Sequence, residues 1–254
     1  MIGLLFKQIL KEGRHAMHSN RYTIIFTMVI TIVLAFFLSM ADSSLYDKYQ
    51  KNVEVDIRKN ILTSLGFSPT DDLPWTSENV ESIFKSSIVG FVVDNSGSIV
   101  ENKLPQDIDT NVDLNLYPIY KRVSNNVTQG YSIPISGKGL WGTMFGYFSI
   151  ESDGETAKGI TFYKHIETPG LGGEVDKPWF QNNFVGKRFV DENGTLIGIQ
   201  TVKGQVDETS REAYHLVDGI SGATMTSKGL NQFLLKDLKL YDPYFSKIRS
   251  KRNG

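Results

Sequence analysis

The sequence predicts an α+β fold: one N-terminal transmembrane helix, then a domain of mixed or antiparallel sheet with packed helices. Three observations carry this expectation. The run Tyr22 to Met40, "YTIIFTMVITIVLAFFLSM", holds no charge. Short β runs recur around glycine-containing turns. The chain closes on an amphipathic helix, and strands and helices are mixed without strict βαβ alternation.

The 19 residues of the apolar run match the helical length that spans about 30 Å of hydrocarbon. Its Ile, Leu, Phe and Val residues favour insertion by roughly 5 kcal/mol in total, at about 0.3–0.6 kcal/mol each. Ser39-Met40-Ala41 has the small-x-small form of a signal cleavage site. The run exceeds an ordinary signal h-region, however, and begins well inside the chain, so an uncleaved anchor is expected. Positive charges tie across it: Lys7, Lys11, Arg14 and Arg21 precede, and Lys48, Lys51, Arg58 and Lys59 follow. Large domains translocate largely regardless of such counts. The expected order is therefore a cytoplasmic segment 1–21, a membrane span 22–41 and an extracytoplasmic, periplasmic domain 42–254. "MIGLLFKQILKEG" at the start has a helix-compatible mixture that suits either the inner membrane surface or a disordered start.

After the anchor, "SSLYDKYQKNVEVDIRKNILTSLG" has helical spacing and stops at Gly66, the usual residue past a helix end. Hairpins are expected in "SIVGFVVDNSGSIV" around Asn95-Ser96-Gly97, around Ser152-Asp153-Gly154, and around Asn193-Gly194 in "KRFVDENGTLIGIQTVKG". "PWFQNNFVG", Pro178 to Gly186, reads as a short helix on the sheet. Leu230, Phe233, Leu234, Leu238 and Tyr241 form the buried face of a last helix that Pro243 interrupts. The segment from Glu101 to Leu116 matches no pattern.

Composition narrows the chemistry. A net charge of −1 gives no field favouring nucleic acid. The absence of cysteine excludes disulfides, cysteine nucleophiles and thiolate-held metal sites, so redox chemistry requires a bound organic cofactor. His15, His18, His165 and His215 lack metal-binding spacing, and no metal site is expected. "GKGLWG", Gly137 to Gly142, spells GxGxxG but leads into a strand, whereas the dinucleotide fingerprint opens a helix. No GxxxxGK[ST] or GxSxG occurs, and the sequons at Asn126 and Asn193 are short enough to arise by chance.

The informative stretch is "DGISGATMTS", Asp218 to Ser227. It suits an ordinary helix start with Thr226 or Ser227 as N-cap. It equally suits a phosphate site, because first-turn N–H groups and the helix dipole stabilise an anion while Gly219 and Gly222 permit close approach. A bare phosphate nest leaves the Asp218 carboxylate unexplained.

Asp218-x-x-Ser221-Gly222-Ala223-Thr224 resembles the D-x-x-[ST]-G-A-T signature at which an FMN transferase esterifies FMN through its phosphate to the final threonine. "GKGLWGTMFGY", "GITFYKHIETPGLGGEVDKPWF" and the closing "YDPYFSKIR", with the anchor and the overall length, extend the likeness over about the whole chain. Together they resemble the family of C subunits of sodium-translocating NADH:quinone oxidoreductases (Na+-NQR). The G subunits of Rnf complexes share the anchor, the ETPGLGG-type block and the SGAT threonine, while the "GLW" stretch fits the quinone reductase better.

The resemblance implies covalent FMN on Thr224, with Asp218, Ser221, Gly222, Ala223 and Thr226 around it and a role for Asp218 with magnesium in attachment. It implies a flavin-contacting loop at Thr168, Pro169, Gly170, Leu171, Gly172 and Gly173. There the glycine backbone would lie against the ring and Leu171 would cover an apolar face. Without the resemblance, a tight loop closing a hairpin is the plainer reading. Trp141 and Trp179 are further candidates for the ring, and equally candidates for the core. No side chain need act as acid or base. The implied function is electron relay between redox centres of a sodium-exporting complex, with the other subunits and an FMN transferase as partners and no direct NADH binding. An Rnf-type protein and a cofactor-free membrane-tethered binding or assembly module are the alternatives.

Overall fold

The computed structural model describes residues 20–108 and 112–252. Most of the expected cytoplasmic segment 1–21, with His15 and His18, lies outside them. The chain divides into two compact units, Met1–Asn52 and Val53–Gly254. The first contributes most of α1 (Asn20–Ser64), whose side chains to residue 52 are exposed. Its most apolar window has a mean hydropathy of 2.6, long and apolar enough to cross a membrane. Anchor and stalk, expected as two segments, are thus one helical element. It ends as the glycine signal requires: Gly66 adopts φ +82°, its N–H bonds Thr63 O, and the Phe67 N–H bonds Leu62 O.

The second unit is built on one six-stranded antiparallel sheet. Its strands are β1 (Ile88–Asp94), β2 (Ile99–Val100), β3 (Leu116–Ser124), β4 (Val127–Lys138), β5 (Thr143–Ile150) and β6 (Ala157–Lys164), in the order β2-β1-β3-β4-β5-β6. Of the expected hairpins, β1–β2 and β5–β6 are present, their turns held by Asp94 and Asp153, whose carboxylates accept backbone N–H groups. The central β3–β4 hairpin has no counterpart in the sequence reading. Its two-residue turn, Asn125-Asn126, has both residues at positive φ (49° and 59°), the geometry that matches strand twist.

The hairpin expected at Asn193-Gly194 is corrected. The turn forms, with Asp191 accepting from Asn193 and Thr195, but only the bridge Val190–Leu196 follows it. Pairing across the turn reaches only to Phe189 O, which accepts from both Ile197 and Gly198; before it the Arg188 N–H bonds Tyr214 O and Lys187 O accepts from Ala157. Beyond it, β7 (Gln200–Thr201) pairs in parallel with β8 (Leu216–Val217).

One face of the sheet carries the larger core. Ile133, Ile135, Met144, Phe148 and Ile160 meet the predicted stripe Leu230, Phe233, Leu234, Leu238 and Tyr241 of the closing helix, which runs Thr224–Arg252. Pro243 does not interrupt that helix. Proline removes one helical donor, and the residues after it stay helical because Phe245 is buried and Tyr244 and Ile248 pack on the same core. "PWFQNNFVG" gives α3 (Pro178–Gln181) and a 3-10 turn, burying Phe180 and Phe184. On the other face Ile61, Leu62 and Leu65, from the end of α1 and the residue after it, pack with Val80 of α2 (Ser77–Ser87). The sequence reading does not anticipate α2, although Thr76 caps it by accepting from the Asn79 N–H. In chain order the closing helix is α4.

Two glycine contacts set α4 against β4. A Cβ at Gly229 of the helix would lie well inside contact distance of Lys138 O, and one at Gly137 of the strand would strike the Phe233 side chain. Asp237, buried in the same interface, accepts from the Ser136 N–H at 2.7 Å. Burial pushes its carboxyl up from the usual range. The first turn of α4 is thereby fixed at the end of the sheet where β4 gives way to the loop Gly139–Gly142.

Candidate functional site

Three segments converge at that end: the β4–β5 loop, the residues after β6, and the start of α4. At their centre is Glu167, which is 5% exposed. Its Oε1 accepts the Trp141 N–H at 2.9 Å and its Oε2 accepts the Thr226 hydroxyl at 2.6 Å. Burial alone would push this carboxyl up. Hydrogen bonds from Thr226 and from the N–H groups of Trp141, Leu140 and Gly142 together outweigh it and hold the carboxyl below its ordinary value. A charged carboxylate is therefore the knot that ties both loops to the helix. Glu167 opens the ETPGLGG block, yet nothing in the sequence distinguishes it, since a buried acceptor looks like any glutamate until its partners fold around it.

Gly172 and Gly222 show why side chains are absent here. A Cβ at Gly172 would stand 2.5 Å from Thr226 Oγ1 and 2.6 Å from Glu167 Oε2, and one at Gly222 would stand 2.7 Å from Leu171 Cδ2. Gly173 is buried beneath the Thr168 carbonyl, to which it donates at 2.9 Å. Gly170, at φ +74° with open space around it, supplies the turn after Pro169. The family resemblance assigns these glycines to a ligand. In the fold, Gly172 and Gly173 let the loop close on its own glutamate and on α4. Leu171 stays 42% exposed beside Gly222.

The expected N-cap at Thr226 or Ser227 is also corrected. The first i→i−4 bond runs from the Ser227 N–H to Ala223 O, so the helix opens at Thr224. Thr226 and Ser227 face inward and are buried, whereas Thr224 is exposed. Beside it opens a pocket of about 810 Å³, within the range usual for small-molecule sites. Its walls are residues 201–205, residues 218–222, Trp179 and one face of α4: Thr224, Ser227, Lys228 and Asn231. Asp218 accepts the Val206 N–H at 2.7 Å, and the Gly219 N–H bonds Gly204 O at 2.7 Å, so these walls brace each other. Asn231 clamps β7 by accepting the Thr201 N–H at 2.8 Å and donating to Thr201 O at 3.1 Å.

Of the residues singled out from sequence, Thr224, Asp218, Ser221 and Gly222 lie on this pocket. Ala223 and Thr226 are buried behind it. Thr168 to Gly173 stand at its neighbouring edge through the Leu171–Gly222 and Gly172–Thr226 approaches. Trp141 is not a lining residue. It is 64% exposed and its indole N–H donates to Thr168 Oγ1 at 3.1 Å. Trp179 does line the pocket, held by its indole bond to Glu174 at 3.0 Å. Thr201 and Lys203 join the site without any sequence signal, because the parallel β7–β8 pair that assembles that wall leaves no motif, and Ser227, Lys228 and Asn231 join it from the face of α4.

The Glu167 knot has a measurable signature. A carboxyl depressed in the folded state stabilises it above the ordinary carboxylate range, and that contribution disappears as pH falls through the depressed value. Glu167→Gln, which retains shape but loses charge, should cost about 1–2 kcal/mol at neutral pH, the scale of charged hydrogen bonds. Melting curves of wild type and variant should stay apart at neutral pH and converge only as pH falls below the ordinary carboxylate range.

The pocket opens at the N-terminus of a long helix, where free backbone N–H groups favour an anion, and residues 139–238 match the FMN-binding domain family. The chain is 31% identical over 239 residues to the C subunit of the Na(+)-translocating NADH-quinone reductase of Pseudomonas aeruginosa, covering 85% of this chain and 90% of that one. It is 30% identical over 249 residues to its counterpart in Vibrio anguillarum, covering 91% and 96%. The crystal structure of the corresponding C subunit from Parabacteroides distasonis superposes with a TM-score of 0.68 at 31% identity, covering 80% of this chain and 97% of that one. That of Shewanella oneidensis NqrC, 24% identical with a TM-score of 0.65, shares the fold. The chain belongs to the NqrC family, the C subunits of Na+-translocating NADH-quinone reductases.

Proposed function

We propose that this chain carries FMN joined by a phosphoester to Thr224 and serves as an electron relay in a sodium-translocating NADH-quinone reductase. One observation carries the choice of residue: Thr224 offers an exposed hydroxyl at the first residue of α4, on the pocket wall, while Thr226 is buried and bonded to Glu167. The unpaired N–H groups of the first helical turn and the positive end of the dipole favour the single negative charge an ester phosphate keeps. Lys203 and Lys228 add positive charge, and Asp218 is directed to the Val206 N–H. Leu171 and Trp179 supply apolar surface at the edge for a flat ring.

Bound flavin would supply one-electron chemistry. The protein's part is to fix its position and tune its surroundings by nearby charge and hydrogen bonds. Residues 22–41 would anchor the chain by a single pass in the inner membrane, leaving residues 1–21 cytoplasmic and residues 42–254 periplasmic. Covalent attachment would then prevent loss of the flavin from that compartment. The other subunits would be electron partners, and an FMN transferase would be needed for maturation.

The test is intact-mass analysis of the full chain coexpressed with an FMN transferase. The expected result is one added FMN less one water, localised to the peptide containing Thr224. An unmodified chain with no visible flavin absorbance would leave the cofactor-free tether.

A further inference from the structure

Two buried hydroxyls of residues in the pocket wall, Thr201 Oγ1 and Ser227 Oγ, form no hydrogen bond within the protein among the described residues. Their residues are 8% and 7% exposed, and both line the same pocket. An unpaired buried hydroxyl is costly to a fold, and most such groups find a partner.

Their placement follows from helical spacing. Thr224, Ser227 and Asn231 stand at i, i+3 and i+7, which puts them on one face of α4, and all three line the pocket. Asn231 uses its amide on the Thr201 backbone, which leaves the Thr201 hydroxyl unengaged. Polar side chains thus line the pocket from the exposed threonine to the Ser227 hydroxyl one turn further along and to Thr201, which Asn231 holds beside the helix another turn on. Both can rotate between staggered positions to meet a ligand without backbone movement.

We propose that Thr201 Oγ1 and Ser227 Oγ form a hydrogen-bonding subsite for the phosphoribityl arm of the flavin nucleotide, leaving the ring to the Leu171 side of the pocket. The proposal rests on Thr224 being the attachment point. A phosphate and a polyhydroxy chain offer the acceptors and donors these hydroxyls lack, whereas an isoalloxazine face offers none.

The experiment compares Ser227→Ala and Thr201→Val in the full chain in detergent, each made with and without the FMN transferase, by thermal melting. In the unmodified protein each substitution removes an unpaired group, so Tm is unchanged or rises. In the flavinylated protein each removes a bond and lowers Tm by about 2–4 °C. Ser227→Thr and Thr201→Ser keep a hydroxyl and should preserve the wild-type gap between the two forms. Equal shifts in both forms, as a structural or water-satisfied hydroxyl would give, overturn the subsite, as does no shift in the flavinylated form. Wild type bearing no adduct by mass would instead sink the attachment reading and this subsite with it.

Discussion

Thr224→Val, made as the full chain with an FMN transferase, is expected to show no flavin fluorescence on a denaturing gel and the mass of the unmodified polypeptide. The loss should be complete, because the ester needs the hydroxyl oxygen and valine has none. Misfolding would not explain it: Thr224 is exposed at the first residue of α4, and threonine and valine differ little in helix propensity. The melting temperature of the unmodified protein should stay within a degree or two. Thr226→Val supplies the contrast. It strips Glu167 of a 2.6 Å donor, which should cost about 1–3 kcal/mol, yet the label should remain. Fluorescence surviving in Thr224→Val and disappearing in Thr226→Val would move the attachment point to the buried threonine, and the exposed-hydroxyl argument would fail.

The contrast between those two threonines also shows where sequence reasoning stops. Local signals survive folding: the apolar face of α4, the glycine end of α1 and the Asp-centred turns depend on neighbours a few residues apart. Features set by distant partners do not. Pro243 reads as a helix stop, but Tyr244 and Phe245 are held by the core, and Phe245 is 1% exposed. The strand expected before Gly194 has its outer hydrogen bonds, at Lys187 and Arg188, diverted to Ala157 and Tyr214. Within the site, the motif ending at Thr224 is legible because its chemistry is carried by consecutive residues. Glu167 joins groups 26 and 59 residues away, and the Thr201 wall depends on Asn231, 30 residues on. No local pattern encodes either.

Such long-range joins mean that the site depends on how closely α4 lies on β4, and Gly229→Ala measures that dependence. Two effects oppose each other. Alanine is a better helix former than glycine by about 1 kcal/mol. Against this, its Cβ would be driven into Lys138 O, with Gly139 Cα and Lys138 C each only 3.3 Å away. These are backbone atoms with no flexible end to swing aside, so the helix must lift or turn. Overpacking of this kind costs about 1–3 kcal/mol, sometimes more. With the neighbouring Gly137–Phe233 contact equally tight, the upper end is expected and the net loss should be about 2 kcal/mol, a fall in Tm of roughly 4–8 °C. Gln232→Ala, on the exposed side of the same helix, should move Tm little. Lifting the first turns of α4 also pulls Thr226 from Glu167, so flavinylation of Gly229→Ala should slow even where the protein remains folded. A neutral or stabilised Gly229→Ala would mean that propensity outweighs contact, and that the glycine seam does not set the position of Thr224.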